Sequence, residues 1–163
     1  MQGCTECGGR ISSSRVVQSL RDDGLPQVII EGVILGRCMN CGATEIGYER
    51  IGPLFRTISV ALAMKEAPLV GAEVRFLRSH LGWATGGEFA AKMGVTRETV
   101  SRWEKDRLKM GSCAERLLRL MVVVKSEGGA SADDVLRLPS RAGEGPLRLR
   151  LKLQRGVWQA VAA

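Results

Sequence analysis

The sequence predicts an α+β fold: a small N-terminal β domain, an all-α domain and a short C-terminal β-hairpin. Three observations predict it. Two Cys-x-x-Cys pairs bracket β-prone apolar runs near the N-terminus. Apolar residues recur at helical spacing between residues 51 and 125. Leucine alternates strictly with Arg or Lys from Leu147 to Leu153, which is the period of a strand.

Charge is distributed unevenly along the chain. The 163 residues contain 24 Lys+Arg and 17 Asp+Glu, a formal net charge of +7, and this excess favours a polyanionic partner. Residues 1–50 carry a net −1, whereas residues 71–125 carry a net +5. The sequence shows no membrane span, and its start, MQGCTECGG, lacks the layout of a signal peptide. We therefore expect a cytoplasmic protein without disulfides.

Four cysteines form the strongest chemical motif in the sequence. Two Cys-x-x-Cys knuckles, helped by the glycines that follow each second cysteine, supply four thiolates for one tetrahedral ion. We predict structural zinc here, because the set leaves no open coordination position. Two redox pairs are disfavoured without a βαβ context, and iron on the same four sulfurs stays open. The predicted ligands are Cys4, Cys7, Cys38 and Cys41.

The first domain, residues 1–50, has few apolar residues for a core. Its strand candidates lie around Gly24 and Gly32. They are Val16, Val17, Leu20, Val28, Ile29, Ile30, Val33, Ile34 and Leu35. A sheet of this size is marginal without help, so we expect a zinc-stabilised β domain whose folding depends on the metal.

A linker helix is predicted next, within residues 51–70. Pro53 suits the first turn, apolar residues recur at helical spacing, and Pro68 stops the helix after Ala67. A second helix is predicted from Ala72 to Leu81. His80, the only histidine, is expected at its C-terminal end as a capping or surface residue, since no partner ligand lies at metal spacing.

The stretch from Thr85 to Lys109 predicts a helix-turn-helix in the domain at residues 71–125. Gly94 falls at the turn, where a positive φ is needed, and Thr96 is placed to cap the second helix. The inward positions are Phe89, Ala90, Met93, Val95, Val100 and Trp103. The alternative is an ordinary helical hairpin in a core, but the basic outer face favours binding of double-stranded DNA. The predicted DNA contacts are Thr96, Arg97, Glu98, Thr99, Ser101, Arg102 and Lys105.

Ser112 to Glu115 reads as a capping box that opens a helix reaching about Lys125. This helix has a second apolar stripe beyond the one needed for a core, so we predict a homodimer. Cys113 is expected to be a small packed residue. Residues 126–163 are predicted to be a linker followed by a β-hairpin, whose leucines would cover the helices, a second copy or another protein.

Two resemblances follow from these motifs. AAKMGVTRETVSRWEKD resembles the Xre/Cro-type, lambda-repressor-like helix-turn-helix. The order of two Cys-x-x-Cys motifs around VIIEGVILGRC and then this motif resembles the MqsA-type (YgiT-type zinc finger) antitoxins over about residues 1–125. The resemblance implies zinc on the four cysteines, a homodimer and a palindromic operator. It places base reading at Glu98 and Arg102, where Glu98 departs from the expected amide.

The sequence therefore predicts a zinc-containing, DNA-binding transcription regulator, a repressor or autoregulator of the MqsA type. The alternative is an antitoxin whose zinc domain binds a toxin protein, a role that suits the near-neutral charge of residues 1–50. An enzyme is not expected, because no nucleophile–base pair, phosphate loop or open metal site is evident in the sequence.

Overall fold

A mixed sheet and a set of helices packed on it make up the computed structural model, which describes residues 3–126, 130–139 and 143–161. Within these ranges the strands are β1 (Ile11–Leu20), β2 (Leu25–Cys38), β3 (Thr44–Gly47), β4 (Leu149–Gln154) and β5 (Val157–Ala160). The helices are α1 (Ile51–Ala63), α2 (Gly71–His80), α3 (Gly86–Met93), α4 (Arg97–Glu104), α5 (Ser112–Lys125) and α6 (Ala132–Arg137).

The long strand β2 is the centre of the sheet. β1 pairs with it antiparallel along one edge. Two short strands share the opposite edge: β3 lies antiparallel beside residues 34–37, and β4 lies parallel beside Val28–Glu31. β5 pairs antiparallel with β4 and forms the outer edge. Strands from both ends of the chain thus complete one five-stranded sheet.

This topology shows that the predicted fold class is wrong. We expected a zinc-stabilised β domain, an all-α helix-turn-helix domain and a separate C-terminal β-hairpin, one after another. The hairpin instead adds to the N-terminal sheet, giving a mixed α+β architecture. The two parts stabilise each other, because a lone hairpin is unstable and β2 would otherwise have unpaired backbone groups along one edge. The domain boundaries themselves stay a prediction.

A bulge in β2 keeps its apolar side chains on one face. Gly32 has φ +82, and the register between β1 and β2 shifts beside it. The shift compensates for the extra residue, so Val28, Ile30 and Val33 are all buried. Gly32, predicted to lie between short strands, is therefore inside one strand.

The core is continuous from the sheet to the helices. On α1, the side chains of Leu54, Ile58 and Leu62 are fully buried, and they belong to the same apolar cluster as Leu151 of β4 and Trp158 of β5. The predicted linker helix is therefore part of the core, and it ends at Ala63 instead of Ala67.

The C-terminal hairpin forms where the leucine alternation predicted it. Arg155 and Gly156 both have positive φ, as a tight hairpin turn requires. Leu151 faces the core and Lys152 faces solvent. The leucine face therefore covers this chain's own core.

Two local predictions are wrong near the helix ends. Ser112 does not cap α5: its N-cap is Gly111, and the Glu115 carboxylate accepts from the Leu69 N–H and from Arg119. The predicted linker after residue 126 contains α6, which is capped by the Ser131 hydroxyl. Among the described residues, no helix is both long and apolar enough to cross a membrane.

Candidate metal centre and candidate nucleic-acid interface

The four predicted ligand cysteines come together at one end of the sheet. The Sγ atoms of Cys4 and Cys41 are 3.7 Å apart, those of Cys7 and Cys38 are 3.5 Å apart, and all four sulfurs lie within 4.8 Å of one another. Four sulfurs placed tetrahedrally at about 2.3 Å from one ion lie about 3.8 Å apart. All four cysteines are free, and their spacing fits a shared metal ion.

The two knuckles repeat one backbone arrangement. The Gly8 N–H donates to the Cys4 carbonyl at 2.8 Å, and the Gly42 N–H donates to the Cys38 carbonyl at 3.1 Å. Gly8 and Gly42 have φ +71 and +76, so both tight turns use conformations that favour glycine. The first knuckle precedes β1 and the second follows β2, so the antiparallel pairing of these strands brings them together.

Gly9 leaves space that the sulfurs need. A Cβ on this residue would lie 3.1 Å from the Sγ atoms of both Cys7 and Cys38, and 2.8 Å from the Asn40 Cβ. Asn40 also donates its side-chain N–H to the Cys7 sulfur at 3.6 Å and its backbone N–H to the Cys38 sulfur at 3.4 Å. Sequence reasoning missed Asn40, although an amide between two ligand cysteines was a usable signal.

Electrostatics in the cluster separate the thiols. N–H donors from Cys41 and Asn40 lower the pKa of Cys38 to about 6, and the Gly9 amide lowers the pKa of Cys7. The Ala43 amide lowers the pKa of Cys41, but the neighbouring Cys7 and Cys38 sulfurs outweigh it and raise that pKa to about 12. The raised pKa keeps the Cys41 thiol protonated unless a cation offsets the charge of the neighbouring sulfurs, and a bound metal would supply that cation.

The α3–α4 hairpin is capped by its own side chains. The Thr85 hydroxyl accepts from the Glu88 N–H, while the Glu88 carboxylate accepts from the Thr85 N–H. Thr96 accepts from the Thr99 N–H at 3.2 Å, and Gly94 has φ +64 at the turn. Both helices of the predicted pair are therefore present, and the predicted cap at Thr96 and turn at Gly94 are confirmed.

Aromatic packing fixes α4 from its inward side. Phe89 is fully buried, and its ring centroid lies 5.5 Å from that of Trp83 and 6.3 Å from that of Trp103. Val100 is 1% exposed beside them. Trp83 therefore packs within the helices.

Buried polar contacts fix the end of α4 against α2. Arg78 donates from Nε to the Glu104 carboxylate at 2.7 Å and also donates to the Trp83 and Ala84 carbonyls. The Asp106 carboxylate accepts from the Gly71 N–H at 2.6 Å. A helix held at its cap, its core face and its end presents a defined outer face.

The predicted DNA contacts divide into two sets on that outer face. Arg97, Glu98, Arg102 and Lys105 are exposed. The other set is less free to reach DNA. Thr96 is exposed, but its hydroxyl lies 3.1 Å from the Thr99 hydroxyl. Thr99 and Ser101 are half-buried. The pKa of Glu98 is lowered by its own N–H, the Thr96 hydroxyl and the two arginines, so Glu98 is an anion among cations.

The outer face of α5 is apolar and exposed. Leu117 is 44% and Val124 73% exposed, with half-buried Leu120 between them at helical spacing. Cys113 is also exposed, so its predicted packed position is wrong.

His80 lies at the C-terminal end of α2, and its carbonyl accepts from the Lys125 ammonium at 2.9 Å.

Comparisons with known proteins give no relative. No protein-family model, curated protein or solved structure matches this chain.

Proposed function

We propose that this chain is a sequence-specific, DNA-binding transcription regulator with a structural zinc ion. The observation that carries the proposal is the outer face of α4. It exposes Arg97, Glu98 and Arg102, while the opposite face is buried against Phe89. Arginine bonds guanine and a carboxylate accepts from cytosine N4 in the major groove, which admits an α-helix.

Zinc is the proposed metal because all four ligands are thiolates from two tight knuckles. Soft sulfur ligands in a closed tetrahedral set suit zinc, and its role here is to hold the start of β1 and the end of β2 together. Metal analysis of the purified chain checks this. About one zinc per chain would support the proposal, whereas stoichiometric iron would show that the metal is iron and not zinc.

The regulator acts as a homodimer in this proposal. The stripe formed by exposed Leu117 and Val124 with half-buried Leu120 on α5 supports pairing of two copies, because large apolar side chains at helical spacing are costly to leave in water. Two copies related by a twofold axis present two α4 helices to a palindromic operator. Occupying such a site blocks transcription, which makes repression, including that of its own gene, the proposed outcome.

Selection of bound duplexes from a random pool, followed by gel-shift titration, tests this function. Arg102→Ala is expected to reduce the preference for the selected site over a scrambled one, by about 1–3 kcal/mol of discrimination. Arg148→Ala removes an exposed charge outside the α3–α4 hairpin and is the matched control. Failure of the wild-type chain to select any sequence would reject the proposal, and unchanged preference in Arg102→Ala would remove that residue from the interface.

A further inference from the structure

We propose that metal occupancy of the four-sulfur site controls docking of the C-terminal hairpin and, through Glu73, the position of α2 beneath α4. DNA affinity then depends on the metal. The inference rests on the proposed function for its last step only. Its first steps concern the fold and are tested without DNA.

The first step is that β2 serves both the metal site and the hairpin. Cys38 is the last residue of β2, and Val28–Glu31 of the same strand pairs with β4. These two parts are roughly 23 Å apart along the strand, given its rise per residue. Beside Cys38, β2 pairs with β1 and β3, and these two strands contribute few fully buried apolar side chains. Loss of the metal therefore destabilises this end of β2, which we call the metal end.

The second step is that the hairpin depends on what the metal end holds in place. Besides β2, its contacts include the Trp158 indole N–H donating to the Glu49 carbonyl at 3.2 Å, and the Arg50 guanidinium donating to the Gly156 carbonyl. Glu49 and Arg50 lie just beyond Gly47, the last residue of β3, and β3 itself begins soon after Cys41 of the second knuckle. Because a two-stranded hairpin is marginal by itself, β4 and β5 undock when these partners become disordered.

The third step connects the hairpin to α2. Just before β4, the Leu147 N–H donates to Glu73 Oε1 at 2.7 Å, and the Gly145 carbonyl accepts from Lys65 Nζ at 2.9 Å. Glu73 is fully buried and pairs with Lys65 at 2.5 Å. Undocking the hairpin removes one donor from a buried carboxylate, which destabilises that arrangement.

The fourth step connects α2 to α4. Glu73 Oε2 also accepts from the Val70 N–H at 2.9 Å, so the same carboxylate fixes the first turn of α2. Gly71 is next to it, and a Cβ there would lie 2.6 Å from the Glu104 carbonyl at the end of α4. A shift of the α2 start therefore moves the end of the helix that we assign to the major groove.

Hydrogen exchange on the full chain, with zinc bound and after chelation, tests the metal steps. Chelation is expected to raise exchange in residues 149–160 by at least about tenfold, together with β2 and residues 70–74. Cys38→Ser is expected to reproduce this in the presence of zinc, and Cys113→Ser, at the exposed cysteine outside the cluster, is expected to behave as wild type. Unchanged protection of residues 149–160 after chelation would overturn the inference.

A matched pair at residue 147 tests the Glu73 step with the metal bound. Leu147→Pro removes the N–H that donates to Glu73, whereas Leu147→Ala keeps this N–H and shortens only the side chain. Leu147→Pro is expected to raise exchange in residues 70–74 and weaken binding of the selected duplex several-fold more than Leu147→Ala does. Glu73→Gln is a second variant if the proline variant fails to fold. Equal behaviour of the variants and wild type would overturn this step, and if no form binds DNA, the exchange data decide the inference while the proposed function fails.

Discussion

The two hairpins of this molecule, α3–α4 and β4–β5, reach their structures by opposite means. The helical hairpin is closed by its own caps, its glycine turn and an aromatic cluster between Trp83 and Trp103. The β-hairpin is completed by β2, so that Arg150 pairs with Glu31 across 119 residues. The proposed DNA-reading element is therefore locally determined, whereas the sheet depends on distant partners and, in our proposal, on a metal at the four cysteines.

The largest effect is expected from removing the metal, because the sheet is the less self-sufficient part. Chelation is expected to lower the free energy of unfolding by more than about 5 kcal/mol, since structural zinc contributes binding free energy directly to folding. Urea denaturation of the loaded and chelated chains measures this difference. An unchanged urea midpoint after complete chelation would show that the sheet is stable without metal, and would contradict its proposed dependence on the four-cysteine site.

The helical side of the comparison is tested by Phe89→Ala. This change empties the space between Trp83 and Trp103 and is expected to cost about 3–5 kcal/mol in the free energy of unfolding. Lys92→Ala, at an exposed position on the same helix, is the control. Urea titration distinguishes them, and a loss in Phe89→Ala no larger than in the control would mean that aromatic packing does not hold α4.

Local capping of α4 is tested by Thr96→Ala. Loss of the hydroxyl that accepts from the Thr99 N–H is expected to cost about 0.5–2 kcal/mol of stability. Thr96→Asn keeps a capping oxygen and is expected to recover most of that loss. If asparagine were as destabilising as alanine in thermal unfolding, the cap would not be the cause.

The smallest effect is a pH dependence at His80, at the end of α2. Burial lowers its pKa below 6.5, and Lys125 and Arg56 lower it further. The unfolded chain therefore binds a proton more readily, so stability is full above pH 6.5 and falls as the pH decreases through this value. His80→Gln is expected to make the urea midpoint less dependent on pH between 7.5 and 5. An equally steep decline in the variant would assign the effect to other groups.

Local chemistry explains which elements the sequence predicted. The cap at Thr96, the turn at Gly94 and the tight turn of each Cys-x-x-Cys knuckle follow from residue types at short spacing. The leucine alternation likewise predicted β4, because a strand's period is visible within a few residues.

Non-local pairing explains what the sequence missed. The alternation of β4 does not say which strand it joins, and parallel pairing with Val28–Glu31 leaves no local signal. The burial of Glu73 under residues 145–147 has the same origin. The capping box predicted at Ser112 is wrong because the Glu115 carboxylate accepts from the Leu69 N–H and from Arg119 instead. Local spacing does not reveal these long-range and side-chain contacts.

The measurement that tests the central claim most directly is a hydrogen-exchange footprint of the zinc-loaded chain with and without its selected duplex. We predict that the duplex slows exchange in residues 96–105 and leaves residues 11–20 of β1 unchanged. The footprint is also expected to fade as salt is raised, because Lys and Arg contacts to phosphate release counterions. Protection confined to the sheet, with α4 unchanged, would contradict the assignment of α4 as the DNA-reading helix.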